Sequence, residues 1–485
     1  MSLAQRIESW LQETEAEFPP THQARPTRLI KRDEPCSKRR RLNPPTPEAS
    51  ENSSHRMSSS RKGLSSRKRN HAEDYHDQGD GSQETPRASG RKMRTPRSES
   101  SYSLPSTQSQ YQASERSGYS SPSKQLSALE RGPNPVVPRE LSTFRHKPPS
   151  LEALLDRIDL GIMGLGILPT SQRATFDKLD VETYDDFKWT RMEGVRDMFF
   201  SDTRHETGST PSLETIHRIL CQAAFCNGKG CSEADWNVEV HHRLLEAALR
   251  PPDGCGLDQL VNFRLSTTAS VIAEYHMSTS ASKKVDFCMY IDPEHDQEHA
   301  AISQVINALR DILPLGMFNH TNLKPLDEKP IAVSMETKKT GEGWENARLQ
   351  MEVWMAAHWE FLRHLLELRQ RAANQVSIMD QHARVDVPAD LEPSLNNDQT
   401  WQLPAFLPGI IIQGHDWHLV LTTCEGGKMN FWQKKTFGAT SSSKGIYQII
   451  YTLQLLQQWA RDEYWAWLRK LLLEWPRYNK QPVVF

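Results

Sequence analysis

Asp286 stands in the run KKVDFCMYI (283–291), and the triplet Glu336-Thr337-Lys338 closes the run PIAVSMETKK (330–339). These are the residue types that phosphodiester hydrolysis uses. Two carboxylates offer hard oxygen ligands to Mg2+ at about 2.0–2.1 Å, and the ion keeps several waters. A bound ion stabilises charge on a scissile phosphate and acidifies a water. A lysine alongside orients that water or steadies the phosphate. Residues i and i+2 of a strand share a face, so Glu336 and Lys338 can serve one site. The alternative is a strand that runs out of core and meets solvent. The triplet alone is a weak signal, because Asp186-Phe187-Lys188 and Asp327-Glu328-Lys329 also fit acid-x-Lys.

The elements around these residues strengthen the first reading. In 283–291, Val285, Phe287, Met289 and Ile291 alternate with Asp286, Cys288 and Tyr290. In 331–338, Ile331, Val333 and Met335 alternate with Ala332, Ser334, Glu336 and Lys338. Period-two alternation marks both as strands with apolar and acid-bearing faces segregated alike. As neighbours they would bring Asp286 and Glu336 together. Before them, helical spacing runs over 150–163, 210–226 and 234–250, with Thr210 as a helix cap and Pro211 at the first helical position. After them, Gly341 and Gly343 lead into a long helix at 344–370 and a polar linker at about 373–400. Strands are expected within 409–424 and 429–437, and an amphipathic helix over 445–474. This order predicts a mixed α/β layer architecture.

Composition bounds the rest. Of 485 residues, 37% are hydrophobic, and the formal net charge is −2. With a mean hydropathy of −0.67, this predicts one folded region carrying a long polar segment. Residues 1–147 are poor in Leu, Ile, Val and Phe and are expected to be a disordered basic, Ser/Pro-rich tail. A helical lead-in follows at 148–230 and the main domain at 231–475. Basic clusters at 38–42 (KRRRL), 61–69 and 90–97 read as import-receptor signals and point to the nucleus; a solvated charged tail is the plainer alternative. Seven cysteines without a paired framework, and no signal peptide, point to a reducing intracellular compartment. No apolar run is long enough to span a bilayer, so a membrane partner is not expected.

Asp286, Glu336-Thr337-Lys338 and the order of elements resemble the PD-(D/E)XK nuclease superfamily. The stretches DWNVEVH (235–241), NHTNLKPL (319–326), METKKTGEGWENARLQMEVWMAAHW (335–359) and LPGIIIQGHDWHLV (407–420) resemble its nuclease-like domain family of fungal proteins. The resemblance covers roughly 150–475. It implies a restriction-endonuclease-like mixed sheet flanked by helices, a Mg2+ (or Mn2+) cofactor and nucleic acid as substrate, DNA favoured. Asp286 and Glu336 then correspond to the metal-binding acids and Lys338 to the motif lysine. Glu239 corresponds to the acid that many members place on the preceding helix. Gln350 and Trp354 fall where exonuclease-type relatives carry Gln-x-x-x-Tyr. The gap of about 50 residues between the acids is longer than usual and makes 292–330 an insertion.

Each of these has a plainer reading. Glu239 and Gln350 also suit a solvent-facing helix, and Trp354 suits a core stripe with Met351, Met355 and His358. Lys339, Lys434, Lys435 and Lys444 suit either phosphate contact or a solvated edge. His415, Asp416 and His418 alternate between faces and read as polar strand contacts; Cys221, Cys226 and Cys231 lack zinc-site spacing. Two functions follow: a metal-dependent nuclease, or a catalytically silent nuclease-fold module serving as a nuclear nucleic-acid adaptor.

Overall fold

The computed structural model describes residues 121–180, 185–250, 252, 256–276, 283–383 and 401–484. Residues 1–120 of the tail expected over 1–147, with the basic clusters, lie outside the described residues. Its predicted extent needs correction, because order begins well before residue 148. Pro122 opens helix α1 (Pro122–Arg131), and strand β1 (Val136–Glu140) pairs in parallel with a strand near the other end of the chain. Val136 is fully buried there and Phe144 stacks on Trp432 at 4.0 Å. A few apolar residues in a polar stretch suffice when an existing sheet edge receives them.

A seven-stranded sheet forms the centre. Its further strands are β2 (Val261–Leu265), β3 (Phe287–Ile291), β4 (Ile331–Lys338), β5 (Leu407–Gln413), β6 (Asp416–Glu425) and β7 (Lys428–Ala439). Spatial order is β1-β7-β6-β5-β4-β3-β2. Strands β4 and β5 are parallel, as are β1 and β7, and the other pairs are antiparallel. The parallel β4–β5 pair requires a crossover, which the helix Trp344–Ala383 begins. The sheet is thus mixed, as expected. Strand β2 was not foreseen; it is short and follows the Pro- and Gly-bearing stretch 251–256.

Helix α2 (Pro149–Met163) ends on Gly164 at φ +88°, a left-handed cap favouring glycine. Helix α3 (Leu213–Lys229) starts two residues beyond the Pro211 start expected from sequence. Its cap is Ser212, whose hydroxyl accepts from Thr215 N–H, rather than Thr210. Helix α4 runs through Glu233–Trp236, a π turn at Asn237–His241, and His242–Leu249. The insertion carries α5 (His299–Arg310). Helix α6 (Trp344–Ala383) exceeds the predicted length, and α7 (Ser443–Trp459) continues through a π turn into Ala466–Leu473.

Helices cover both sheet faces. On one, Trp354 and Trp359 of α6 donate their indole N–H to Ser334 and Thr422, each at 2.9 Å. On the other, His241 of α4 packs against Trp417. All eight residues of β4 are therefore buried, including the polar face. Trp354 is core, on the stripe with Met351, Met355 and His358.

One buried pair carries a testable cost. His320 stacks on His358 at 4.7 Å, and neither ring nitrogen of His320 has a partner. Burial lowers His320 well below its ordinary pKa and His358 to about 3. A base whose pKa is lower folded than unfolded contributes fully above about 6.5, and loses that contribution as pH falls below it. His320→Phe removes desolvated nitrogens and no hydrogen bond, so it should stabilise the fold by about 1 kcal/mol at pH 7. Its advantage should widen by up to about 1.4 kcal/mol per pH unit below 6.5. Urea denaturation at pH 7.5 and 5.5 checks this; a variant weaker than wild type at both values refutes it.

Candidate active site

Strand β4 delivers Glu336 and Lys338 to the end of the sheet, and β3 opens just after Asp286. The register Phe287↔Met335 continues through Asp286 N–H, which donates to Met335 O at 3.0 Å. The insertion at 292–330 does not keep the two acids apart, because it loops out and returns the chain to β3 as an antiparallel neighbour. Asp286 Oδ2 accepts from both Thr337 N–H and Thr337 Oγ1–H, each at 2.9 Å. The Asn237 side chain donates to the same carboxylate.

Lys338 is at the centre. Its Nζ donates to Glu336 Oε1 at 2.5 Å, to Thr337 O at 2.7 Å and to Glu233 Oε2 at 3.3 Å. Glu336 is fully buried and Lys338 only 5% exposed, which rules out a strand merely fraying into solvent. The loop after β5 closes the group. Gly414 N–H donates to Lys338 O at 2.7 Å, and Gly414 O lies 3.3 Å from His241 Nε2. Gly414 takes φ +56°, and a Cβ there would overlap Thr340.

Glu233 was not anticipated. It follows the cap Ser232, whose hydroxyl and backbone bond reciprocally with Asp235, so this box aims the first helical turn at the strand ends. Glu239 lies on the same helix but pairs with Arg243 at 3.0 Å, half-exposed and close to Cys226. The helix acid that reaches Lys338 is Glu233. Gln350 donates to Lys284 O at 3.1 Å and tethers the approach to β3. Exposed Lys339 pairs loosely with half-buried Glu342 at 3.6 Å. The other two acid-x-Lys triplets hold elsewhere: Asp186 on His217, and Asp327 on Arg310 and Lys324. His415 and His418 bond Thr440 and Thr436.

The electrostatics follow from burial and like charge. Desolvation pushes Glu336 well above the carboxylate range; Asp286 and Glu233 add to this and Lys338 opposes it. Desolvation also raises Asp286, against Lys338, Thr337 and Asn237, and takes Glu233 to about 7. Burial works against the Lys338 charge, but the three carboxylates outweigh it and hold the ammonium protonated.

Three acids thus face one cation, and Glu336 Oε2 is buried with no partner. An orphaned carboxylate oxygen beside a second carboxylate and a carbonyl suits a further small cation. Among the described residues no three His, Cys, Asp or Glu side chains close on one point by themselves. A hard ion that keeps several waters, such as Mg2+, fits such a partial donor set better than one needing a full protein cage.

No curated protein and no solved structure matches the chain. No described helix is long and apolar enough to cross a membrane. The family model described as the PD-(D/E)XK nuclease superfamily matches residues 181–465, more than half of the chain and the stretch that holds Glu233, Asp286, Glu336 and Lys338. The chain belongs to the PD-(D/E)XK nuclease superfamily.

Proposed function

We propose that the chain is a divalent-metal-dependent nuclease that hydrolyses phosphodiester bonds of nucleic acid, DNA in first place. The observation that carries this is the convergence of Asp286, Glu336 and Glu233 on Lys338, with one Glu336 oxygen left unpartnered in the core. Asp286, Glu336 and the Thr337 carbonyl would hold the ion. When bound, Mg2+ or Mn2+ supplies charge stabilisation at the phosphate and an acidified water. Lys338 keeps its proton and acts as a positioned positive charge, not as a base. Glu233, near neutrality in its proton affinity, is suited to hand a proton on. Thr337 and Asn237 fix the Asp286 carboxylate in place.

Purified full chain with Mg2+ or Mn2+ should cleave DNA, and metal should raise its melting temperature more at pH 8 than at pH 6. The reason is that the raised carboxylates must shed protons to bind metal. Wild-type protein that cleaves neither DNA nor RNA would remove the enzyme reading and leave a catalytically silent adaptor. That second reading draws on Lys338, which already bonds two of the acids. Nuclear residence is the companion proposal, supported by the basic clusters. A tagged full chain that stays outside the nucleus would count against it.

A further inference from the structure

Strand β2 is an edge strand, and a cavity of about 700 Å3 opens along it. Arg250, Arg264, Lys324 and His242 line it from three parts of the chain, with Thr268 and Asn322 as uncharged donors. Among the described residues no carboxylate lines it. Arg250 is held in place: its guanidinium lies 4.1 Å over the Phe263 ring and donates to Asn262 Oδ1 and Phe263 O. Arg250 also pairs with exposed Glu246 at 3.5 Å, which offsets part of its charge, whereas Arg264 is exposed and makes no ion pair among the described residues. Lys324 shares Asp327 with Arg310, so its charge is only partly offset. A charged edge guard needs one such side chain; this edge gathers three cations and a histidine around a concavity.

The cavity is also close to the site. Leu265 pairs with Phe287, the residue after Asp286, and Ser266 N–H donates to Asp286 O at 2.7 Å. Arg264 therefore lies two to three residues, roughly 7–10 Å along the strands, from the Asp286 carboxylate. That distance is on the scale of neighbouring phosphates on one strand.

We propose that the β2 edge is the track along which the polynucleotide backbone leaves the active site, with Arg264, Arg250 and Lys324 on successive phosphates. This rests on the nuclease reading and adds the substrate's path. The test is fluorescence anisotropy of the full chain with labelled oligonucleotides of increasing length, with Ca2+ in place of Mg2+ to limit turnover. Affinity should rise with length. Arg264→Glu with Lys324→Glu, both exposed positions, should weaken binding at least about tenfold at 0.1 M salt. The salt slope should fall by about 2, from two lost phosphate contacts. Arg264→Gln alone should lower it by about 1. Lys470→Glu, beside the loop at 401–406 that enters β5 at the opposite end of the sheet, should bind as wild type. Charge-reversed protein with wild-type affinity and slope overturns the track and leaves the nuclease reading standing. A mononucleotide or inorganic phosphate that competes as well as a long oligonucleotide also overturns it, since the cavity is then a free-phosphate site. A wild-type chain that binds no nucleic acid overturns both readings.

Discussion

Glu336→Gln is expected to abolish metal-dependent cleavage while leaving the fold at least as stable as wild type. The amide keeps the shape of the carboxylate and can still accept from Lys338, but it is a poor ligand for a hard divalent ion. The loss in kcat/KM should be at least about 100-fold, the scale of a single charged catalytic group. Stability should move the other way. Two buried acids and half-buried Glu233 face one ammonium, and desolvation already pushes Glu336 towards its neutral form. Removing that charge relieves repulsion from Asp286 and Glu233. Lys338→Met makes the contrast: it takes away the one cation the acids share. Stripping one partner from a buried ion pair costs about 3–5 kcal/mol, less whatever the acids recover by protonating. Cleavage assays with Mn2+, paired with thermal melts, read both effects. A Glu336→Gln protein that cleaves at the wild-type rate would sink the assignment.

Gly445→Ala should be among the most damaging single-methyl changes in the chain, although it is remote from the site. The first turn of α7 crosses the end of β7 so tightly that a Cβ at Gly445 would overlap Ala439 O and sit 2.9 Å from Ala439 N and 3.0 Å from its carbonyl carbon. The facing Gly438 is as close, with Gly445 O 2.7 Å from where its Cβ would lie. The atoms a Gly445 methyl would meet are all backbone, so no side-chain rotation absorbs it. Overpacking of this kind costs about 3 kcal/mol, which outweighs the usual gain of up to about 1 kcal/mol from Gly to Ala in a helix. Denaturant titration measures it directly. Unchanged stability would mean that strand and helix separate more easily than their contact implies.

Much of the site was legible in the sequence because strands announce themselves by alternation. Glu336 and Lys338 share a face whichever neighbours β4 has, and Asp286 sits in an equally clean pattern. Their convergence was not legible, since no local pattern shows that a long insertion closes on itself. Glu233 was hidden for a different reason. Six residues of helix carry the chain roughly 600°, or 240° past a full turn, so Glu233 and Glu239 cannot both face the strands. The cap Ser232 with Asp235 was the available signal, because it fixes where the helix begins and therefore which acid lies in its first turn. Strand β1 lay beyond sequence reading, since its partner is supplied from the far end of the chain.

That partner sets an order of events during synthesis. Val136 pairs with Met429, a separation of about 290 residues. At 5–20 residues per second the ribosome needs roughly 15–60 s to deliver the second strand after the first. During that interval Val136 and Phe144 have no surface to bury against. The elements carrying Glu233, Asp286, Glu336 and Lys338 are all released before β7. Nascent chains stalled between 340 and 428 would therefore carry every acid of the site but an open sheet edge, the stage at which a chaperone has most to protect.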